Sequence, residues 1–329
     1  MSTDTAIIKT LREVYPMGIS GTELANRLGI TRGAIWARID ILRSAGFEIE
    51  ASPHIGYRLI KSPEKLIGDD ISSQLSSDCL IGRRIHVYKE TTSTNEIADK
   101  LARGGAPNGT VVMAENQTSG KGRLGRSWAS RDGKSLLFSI ILYPDVSAEE
   151  VSKLTLLTAW SITKCLRTLT SKPFEIKWPN DIFYQGKKVA GILTELRADM
   201  DKVHYTIVGV GMNVQQTMDD FPKEIQESAA SLYQVTGSNL IRSSLSANLF
   251  EYLSEALVAY KNEGFERILS DLKSFSCTLG KWIELRVGNN VYSGRAESID
   301  SSGGLLVRTE SGKLKNFNGG EVTSQINMR

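Results

Sequence analysis

Five apolar, strand-like runs at residues 110–114, 135–142, 174–178, 189–196 and 203–210, with one long helical run at 149–170 set among them, oblige this chain to build a central sheet with helices packed on it. Along the helical run Leu154, Leu157, Ser161, Cys165 and Leu169 recur at helical spacing. That spacing places Cys165 in a core rather than at a nucleophilic site. A second long helix is expected at 245–260. The class is α/β (α+β), and the sheet-forming part occupies only the middle of the chain.

The two ends carry different patterns. Ser20-Gly21-Thr22-Glu23 reads as a capping box, and Leu24 and Leu28 then fall one turn apart. Gly29 stops that helix, Thr31 caps the next, Ile35, Ile39 and Leu42 line its inner face, and Gly46 ends it. Two short helices about a tight turn make a helix-turn-helix whose second helix exposes Arg32, Gly33, Trp36 and Arg38. Residues 47–49 and 57–59 flank a turn with Pro53 and Gly56, a β-wing. From Cys277 onward, short strands at 282–287, 291–299, 304–309 and 313–317 are broken by Gly-Asn-Asn and Ser-Ser-Gly-Gly turns, the pattern of an SH3-like β-barrel. A length of 329 residues suits three such units. They are a winged helix-turn-helix over 1–63, a central domain over 64–274 and a C-terminal domain over 275–329, with Ser62 to Asp70 as the linker.

Composition narrows the function classes. Three widely spaced cysteines without a C-x-x-C pair support neither a disulfide framework nor a zinc site, and fit a reducing, cytoplasmic setting. No apolar run reaches the roughly 18 residues of a membrane span, and no basic, then apolar, leader opens the chain. His54, His86 and His204 lie in a turn and two strand-like contexts, so no metal site is expected. Over residues 1–62 eight Lys/Arg against six Asp/Glu leave +2. That is thin electrostatics for one copy on DNA, so DNA binding calls for a dimer reading two half-sites. A helical protein-interaction module is the alternative.

The densest candidate chemistry is Gly120-Lys121-Gly122-Arg123-Leu124-Gly125-Arg126-Ser127-Trp128, where three glycines alternate with three cations. Glycine lets backbone N–H groups approach a ligand, and interleaved cations suit a carboxylate or phosphate. No Gly-Lys-Ser/Thr closes it, so it is not a P-loop, and the acidic residue of a dinucleotide fingerprint is missing. By itself the run is equally a flexible basic surface loop. Four further clusters share the domain: Thr92-Ser93-Thr94-Asn95, Lys177-Trp178-Pro179-Asn180-Asp181, Lys187-Lys188 before Val189-Ala190-Gly191, and Gly209-Val210-Gly211-Met212-Asn213. Singly these read as a turn, a solvated lysine pair or a glycine-bearing strand end.

In this order and spacing, the loop and the four clusters resemble the biotin protein ligases, and with the amino-terminal helix-turn-helix the bifunctional bacterial ligase and biotin operon repressor type, over essentially the whole chain. The resemblance implies a class II synthetase-like catalytic sheet and two steps. Biotin and ATP, with Mg2+ on the phosphates, give biotinyl-5′-AMP, and a carrier-domain lysine then takes the biotin. It implies biotin contacts from Ser93, Thr94, Asn95, Gln117, Gly120, Lys121, Arg123, Lys188 and Gly191. Nucleotide contacts are implied for Arg126, Trp128, Asn180 and Asn213, DNA contacts for Thr31, Arg32, Gly33, Trp36 and Arg38, and catalytic roles for Lys188, Arg123 and Asp181. Asp181 either accepts the acceptor lysine's proton or braces its turn. The implied partners are a biotin carboxyl carrier protein, such as the biotin domain of acetyl-CoA carboxylase or pyruvate carboxylase, operator DNA, and a second copy of the chain recruited by the adenylate. Two departures stand out: lysine at the loop's second position where other members have arginine, and Ala229-Ala230 where some place an aromatic over adenine. A lipoate-type ligase, a non-catalytic sensor and a ligase with a vestigial DNA-binding domain remain as rivals. Like-charge repulsion further predicts a loop that is mobile when empty.

Overall fold

The computed structural model describes residues 1–144, 147, 150–199 and 202–326. It opens with helices α1 (Thr3–Glu13), α2 (Gly21–Leu28) and α3 (Arg32–Ser44) and the hairpin of β1 (Glu48–Ser52) and β2 (Gly56–Lys61). Ser20 Oγ accepts from Glu23 N at 3.1 Å and Gly29, at φ 68°, ends α2. The reciprocal half of the expected capping box is replaced, because Glu23 pairs with Arg27 one turn on at 2.7 Å. Ile7, Leu11, Leu24, Ile35, Ile39 and Leu42 close a small core of their own.

The expected linker at 62–70 is not a free tether. Its end enters α4 (Gly68–Ser72), and Asp70 is fully buried, 2.6 Å from Arg12 of α1 and 2.9 Å from Ser62. Further along, Glu115 accepts from Leu66 N at 2.6 Å and from Arg242 at 2.5 Å, while Arg242 also reaches the Glu64 carbonyl at 3.0 Å. A Pro-flanked polar stretch looks like a linker because every partner that orders it is distant in sequence.

Next come β3 (Ile85–Thr91), α5 (Thr94–Arg103), β4 (Val111–Gln117), β5 (Ser135–Leu142), α6 (Val151–Thr170), β6 (Glu175–Lys177), β7 (Asp181–Tyr184), β8 (Lys187–Asp199) and β9 (Lys202–Asn213). After them lie α7 (Leu232–Thr236), α8 (Arg242–Glu263) and α9 (Glu266–Phe275). The seven strands form one sheet in the order β3-β4-β5-β9-β8-β7-β6, parallel only between β3 and β4. It is the mixed central sheet the apolar runs demanded, with two more strands. β3 (IHVYKET) is a half-buried edge with little apolar signal, and β7 has four residues. Helices α6 and α8 cover one face and α5 part of the other. Along α6, Leu154, Leu157, Ser161 and Cys165 are buried as expected, but Leu169 is 43% exposed because the last turn runs past the sheet. The expected helix start at Glu149 lies outside the described residues.

The last unit is a five-stranded antiparallel sheet in the order β13-β12-β11-β10-β14. Its strands are β10 (Trp282–Val287), β11 (Asn290–Ile299), β12 (Leu305–Thr309), β13 (Leu314–Phe317) and β14 (Glu321–Ile326). The first four were expected and β14 was not. Trp178 ties this unit to the central sheet, donating from Nε1 to the Gly303 carbonyl at 3.1 Å. Among the described residues no helix is long and apolar enough to cross a membrane.

Candidate active site

The site lies on the sheet face that α5 leaves open, and two rows of cross-strand neighbours lay out its floor. In one row Ser139, Gly209 and Leu193 stand side by side on β5, β9 and β8. In the next row Leu137, Gly211, Gly191 and Asp181 do so, out to β7. Glycine at 209, 211 and 191 leaves bare backbone that other side chains occupy. A Cβ on Gly209 would lie 2.1 Å from Asn95 Oδ1, one on Gly211 would lie 2.5 Å from the Trp128 ring, and one on Gly191 would lie 3.0 Å from Lys188 Cε.

Over the first row sits a buried polar run at the start of α5. Ser93, Thr94 and Asn95 are each at most 5% exposed. Gln117 Oε1 accepts from Thr94 N at 2.7 Å, and Ser139 Oγ lies 2.7 Å from Thr94 Oγ1 and 2.6 Å from Asn95 Oδ1. Over the second row lie Trp128 and Lys188, with the ammonium 5.5 Å from the indole centroid. Lys188 Nζ also approaches Asp181 Oδ1 at 2.8 Å, an ion pair without hydrogen-bond alignment. Trp128 Nε1 is buried with no hydrogen-bond partner, a donor that a ligand acceptor in this pocket would satisfy. Lys188 N donates to Ser228 O at 2.7 Å and Lys188 O accepts from Ala230 N at 2.9 Å, so the Ala229-Ala230 segment is clamped beside it and offers buried methyls.

The glycine-rich loop is folded over this floor. Its ends meet where Trp128 N donates to Gly120 O at 2.9 Å, and within it Gly122 N donates to Arg126 O at 2.7 Å. Each loop cation has its own partner. Lys121 reaches Glu96 at 2.8 Å, Arg123 donates to Asn180 Oδ1 at 2.8 Å and to Gly320 O at 3.0 Å, and Arg126 pairs with Glu321. The Glu96 hydrogen bond raises the Lys121 pKa, and Lys121, then Thr92, lowers that of Glu96. Burial lowers the pKa of the Arg123 guanidinium. The repulsion expected among three like charges is thus met by three separate partners.

Most of the expected ligand residues come together. Ser93, Thr94, Asn95, Gln117, Lys121, Arg123, Trp128, Asn180, Lys188 and Gly191 line one pocket with Gly122, Leu193, Gly209 and Gly211. Gly120 closes the base of the loop. Arg126 points to the C-terminal sheet, and Asn213 lies deeper, donating to Ala230 O at 3.2 Å. Asn180 braces the floor through Ile192 O at 2.8 Å. Ser139, Glu96 and Glu195 escaped the sequence reading, although a serine between apolar residues inside the run SLLFSIIL was a signal for Ser139. Burial pushes Cys165 up to about 12, in keeping with a core thiol. His54 is exposed, His204 pairs with exposed Asp199 at 2.7 Å, and no metal-binding group of three or more His, Cys, Asp or Glu occurs among the described residues.

At the amino end Thr31 Oγ1 caps α3 by accepting from Ala34 N at 3.2 Å. Arg32, Gly33, Trp36 and Arg38 are exposed on α3, with Arg38 3.5 Å from Asp4.

A winged helix-turn-helix docked on a mixed sheet, whose open face gathers a buried amide–hydroxyl run and a lysine–aspartate pair, defines a ligand-binding catalytic domain joined to a nucleic-acid-binding module. The profile of the Biotin/lipoate A/B protein ligase family matches residues 87–213, that of an HTH domain 4–58, and that of the biotin protein ligase C-terminal domain 278–323. The Bifunctional ligase/repressor BirA of Bacillus subtilis is 37% identical over 90% of this chain and 91% of its own, and that of Escherichia coli 30% identical over 92% of each. The Aquifex aeolicus biotin protein ligase solved with biotin and ATP superposes with a TM-score of 0.64 at 33% identity, over 73% of this chain and 98% of that one. The chain belongs to the biotin protein ligase family, among the members that carry an amino-terminal helix-turn-helix domain.

Proposed function

We propose that this chain forms biotinyl-5′-AMP from biotin and ATP, transfers biotin to a lysine of a biotin carboxyl carrier domain, and represses transcription as an operator-binding homodimer. The observation that carries the reading is the placement of Lys188 and Asp181, 2.8 Å apart, one sheet row from the buried run of Thr94, Asn95 and Gln117. A polar headgroup held on that run leaves a carboxylate free to meet the ammonium.

In the first step a biotin carboxylate oxygen attacks the α-phosphorus of ATP. The C–O–P anhydride bond forms, the bond to the β-phosphate breaks, and pyrophosphate departs with its magnesium. Such a transfer asks for positioning and charge neutralisation, which Lys188 supplies as a point charge and Arg123 as a partly buried one. In the second step a neutral lysine amine attacks the anhydride carbonyl, the amide forms, and AMP leaves. Asp181, the carboxylate beside Lys188, takes the proton the amine sheds in this reading. The carrier domain of acetyl-CoA carboxylase or pyruvate carboxylase is the acceptor.

The test is biotin-dependent exchange of labelled pyrophosphate into ATP, followed by labelling of a carrier domain. The native chain supports both, and Lys188→Ala slows exchange about 100-fold, the scale on which one preorganised charge-stabilising group acts. Exchange driven by lipoate and not by biotin assigns the other branch of the family. An undiminished Lys188→Ala rate removes lysine from the reaction.

A further inference from the structure

The hydrogen-bond polarity of the pocket floor is set from outside the pocket. Asn95 Nδ2 donates to Glu195 Oε2 at 2.6 Å, and Glu195 is an exposed residue toward the far end of β8. A carboxylate only accepts, so this short contact, with a longer one of 3.5 Å to the Leu193 carbonyl, sets which end of the Asn95 amide is nitrogen. Asn95 Oδ1 then faces Ser139 Oγ at 2.6 Å. Ser139 has one proton and two close oxygens, and the amide carbonyl has none to return. The serine proton is shared with Thr94 Oγ1 at 2.7 Å, because the threonine's own proton goes to Gln117 Oε1 at 3.0 Å. Gln117 is oriented in turn, because Oε1 is held by Thr94 N at 2.7 Å and Nε2 is left as a donor. Bare backbone at Gly209 admits the Asn95 amide at all. The floor therefore offers lone pairs on Asn95 Oδ1 and Thr94 Oγ1 and an N–H on Gln117, the complement of a cyclic urea with two N–H donors and one carbonyl.

We infer that Glu195 is a positioning residue for recognition of the biotin ureido ring, acting through Asn95 and Ser139 without touching the ligand. The inference rests on the biotin reading above. Losing the carboxylate leaves the amide nitrogen only the long 3.5 Å contact to the Leu193 carbonyl, so the amide flips more readily and an acceptor for a ureido N–H becomes an opposing donor. The cost falls on biotin binding and leaves ATP binding and turnover alone.

The measurement is pyrophosphate exchange with biotin and ATP each varied, on Glu195→Ala, Glu195→Gln, Ser139→Ala and the double variant Glu195→Ala/Ser139→Ala. Glu195→Ala raises the KM for biotin about tenfold, with kcat and the KM for ATP unchanged, as expected for one hydrogen bond to a charged group. Glu195→Gln keeps an acceptor oxygen for Asn95 and stays within about threefold of the native KM. Two residues of one run give a double variant no worse than the poorer single one. An unmoved biotin KM in Glu195→Ala, a Glu195→Gln as impaired as Glu195→Ala, or fold-changes that multiply in the double variant would each overturn the positioning role. Native protein without biotin-dependent exchange would instead sink the biotin reading, and this inference with it, so the two failures are told apart by the native control.

Discussion

Gly211 and Gly191 are neighbours across β9 and β8, and the Trp128 indole lies against both. The fused ring has no flexible end with which to make way for a new methyl at 2.5 Å. Gly211→Ala is expected to expel the indole from its place beside Lys188, shift tryptophan emission to the red, and slow exchange about tenfold or more. Emission and exchange rate unchanged together mean that Trp128 does not shape the site. The sequence pattern Gly-x-Gly at 209–211 did announce close approach to the backbone. It was silent on the approaching groups, because Asn95 and Trp128, the side chains that make the approach, are more than 80 residues upstream of these glycines.

At the scale of loops and strands, long-range ion pairs and hydrogen bonds hold segments whose local sequence argues for mobility. In the loop at 120–128 the partners Glu96, Asn180 and Glu321 come from a helix, a turn and the C-terminal sheet. Nothing inside nine residues could reveal them. A second segment behaves alike: Asp220 accepts from Lys134 Nζ at 2.6 Å and from Thr217 N at 2.8 Å. The Lys134 hydrogen bond, aided by those from Thr217, pulls its carboxyl down to about 2. Because that value lies below the roughly 3.9 of an unfolded aspartate, the carboxylate stabilises the folded state above about pH 4, and the contribution is lost as pH falls toward 2. Urea midpoints of the native chain and Asp220→Asn should differ by a constant amount from pH 5 to 8 and converge below pH 4. A gap that persists to pH 2 refutes the assignment. The strands divide on the same physical line: the buried runs of β4, β5, β8 and β9 were legible by apolarity, while β3, β7 and β14 are held by their neighbours in the sheet rather than by a signal of their own.

For the whole molecule, the exposed row Arg32, Gly33, Trp36 and Arg38 belongs to a unit whose charge is only +2 over residues 1–62. Phosphate neutralisation supplies much of the affinity for DNA, so one such unit binds weakly and two, spaced one helical turn apart, bind well. Among the described residues, part of one strand of the central sheet is open to a further strand. β7 pairs with β8 only as far as Gly191, so from Leu193 to Asp199 β8 is laddered on one side among the described residues, and Leu196 there is 45% exposed. Glu195 lies on that segment and holds Asn95 of the pocket at 2.6 Å, so a homodimer seated there would be linked to whatever Asn95 holds. If the adenylate promotes the dimer, reciprocity requires the dimer to bind the adenylate more tightly by the same factor. Sedimentation should therefore show the association constant rising tenfold or more with biotinyl-5′-AMP, and operator binding should rise in step and fall steeply with salt. Association that the adenylate leaves unchanged sinks the linkage even if the ligase works, and salt-insensitive DNA binding sinks the repressor half. If instead both respond together, the reaction intermediate itself carries the signal: it accumulates only when carrier lysines are scarce, and its occupancy of one pocket then governs how two helix-turn-helix units meet DNA.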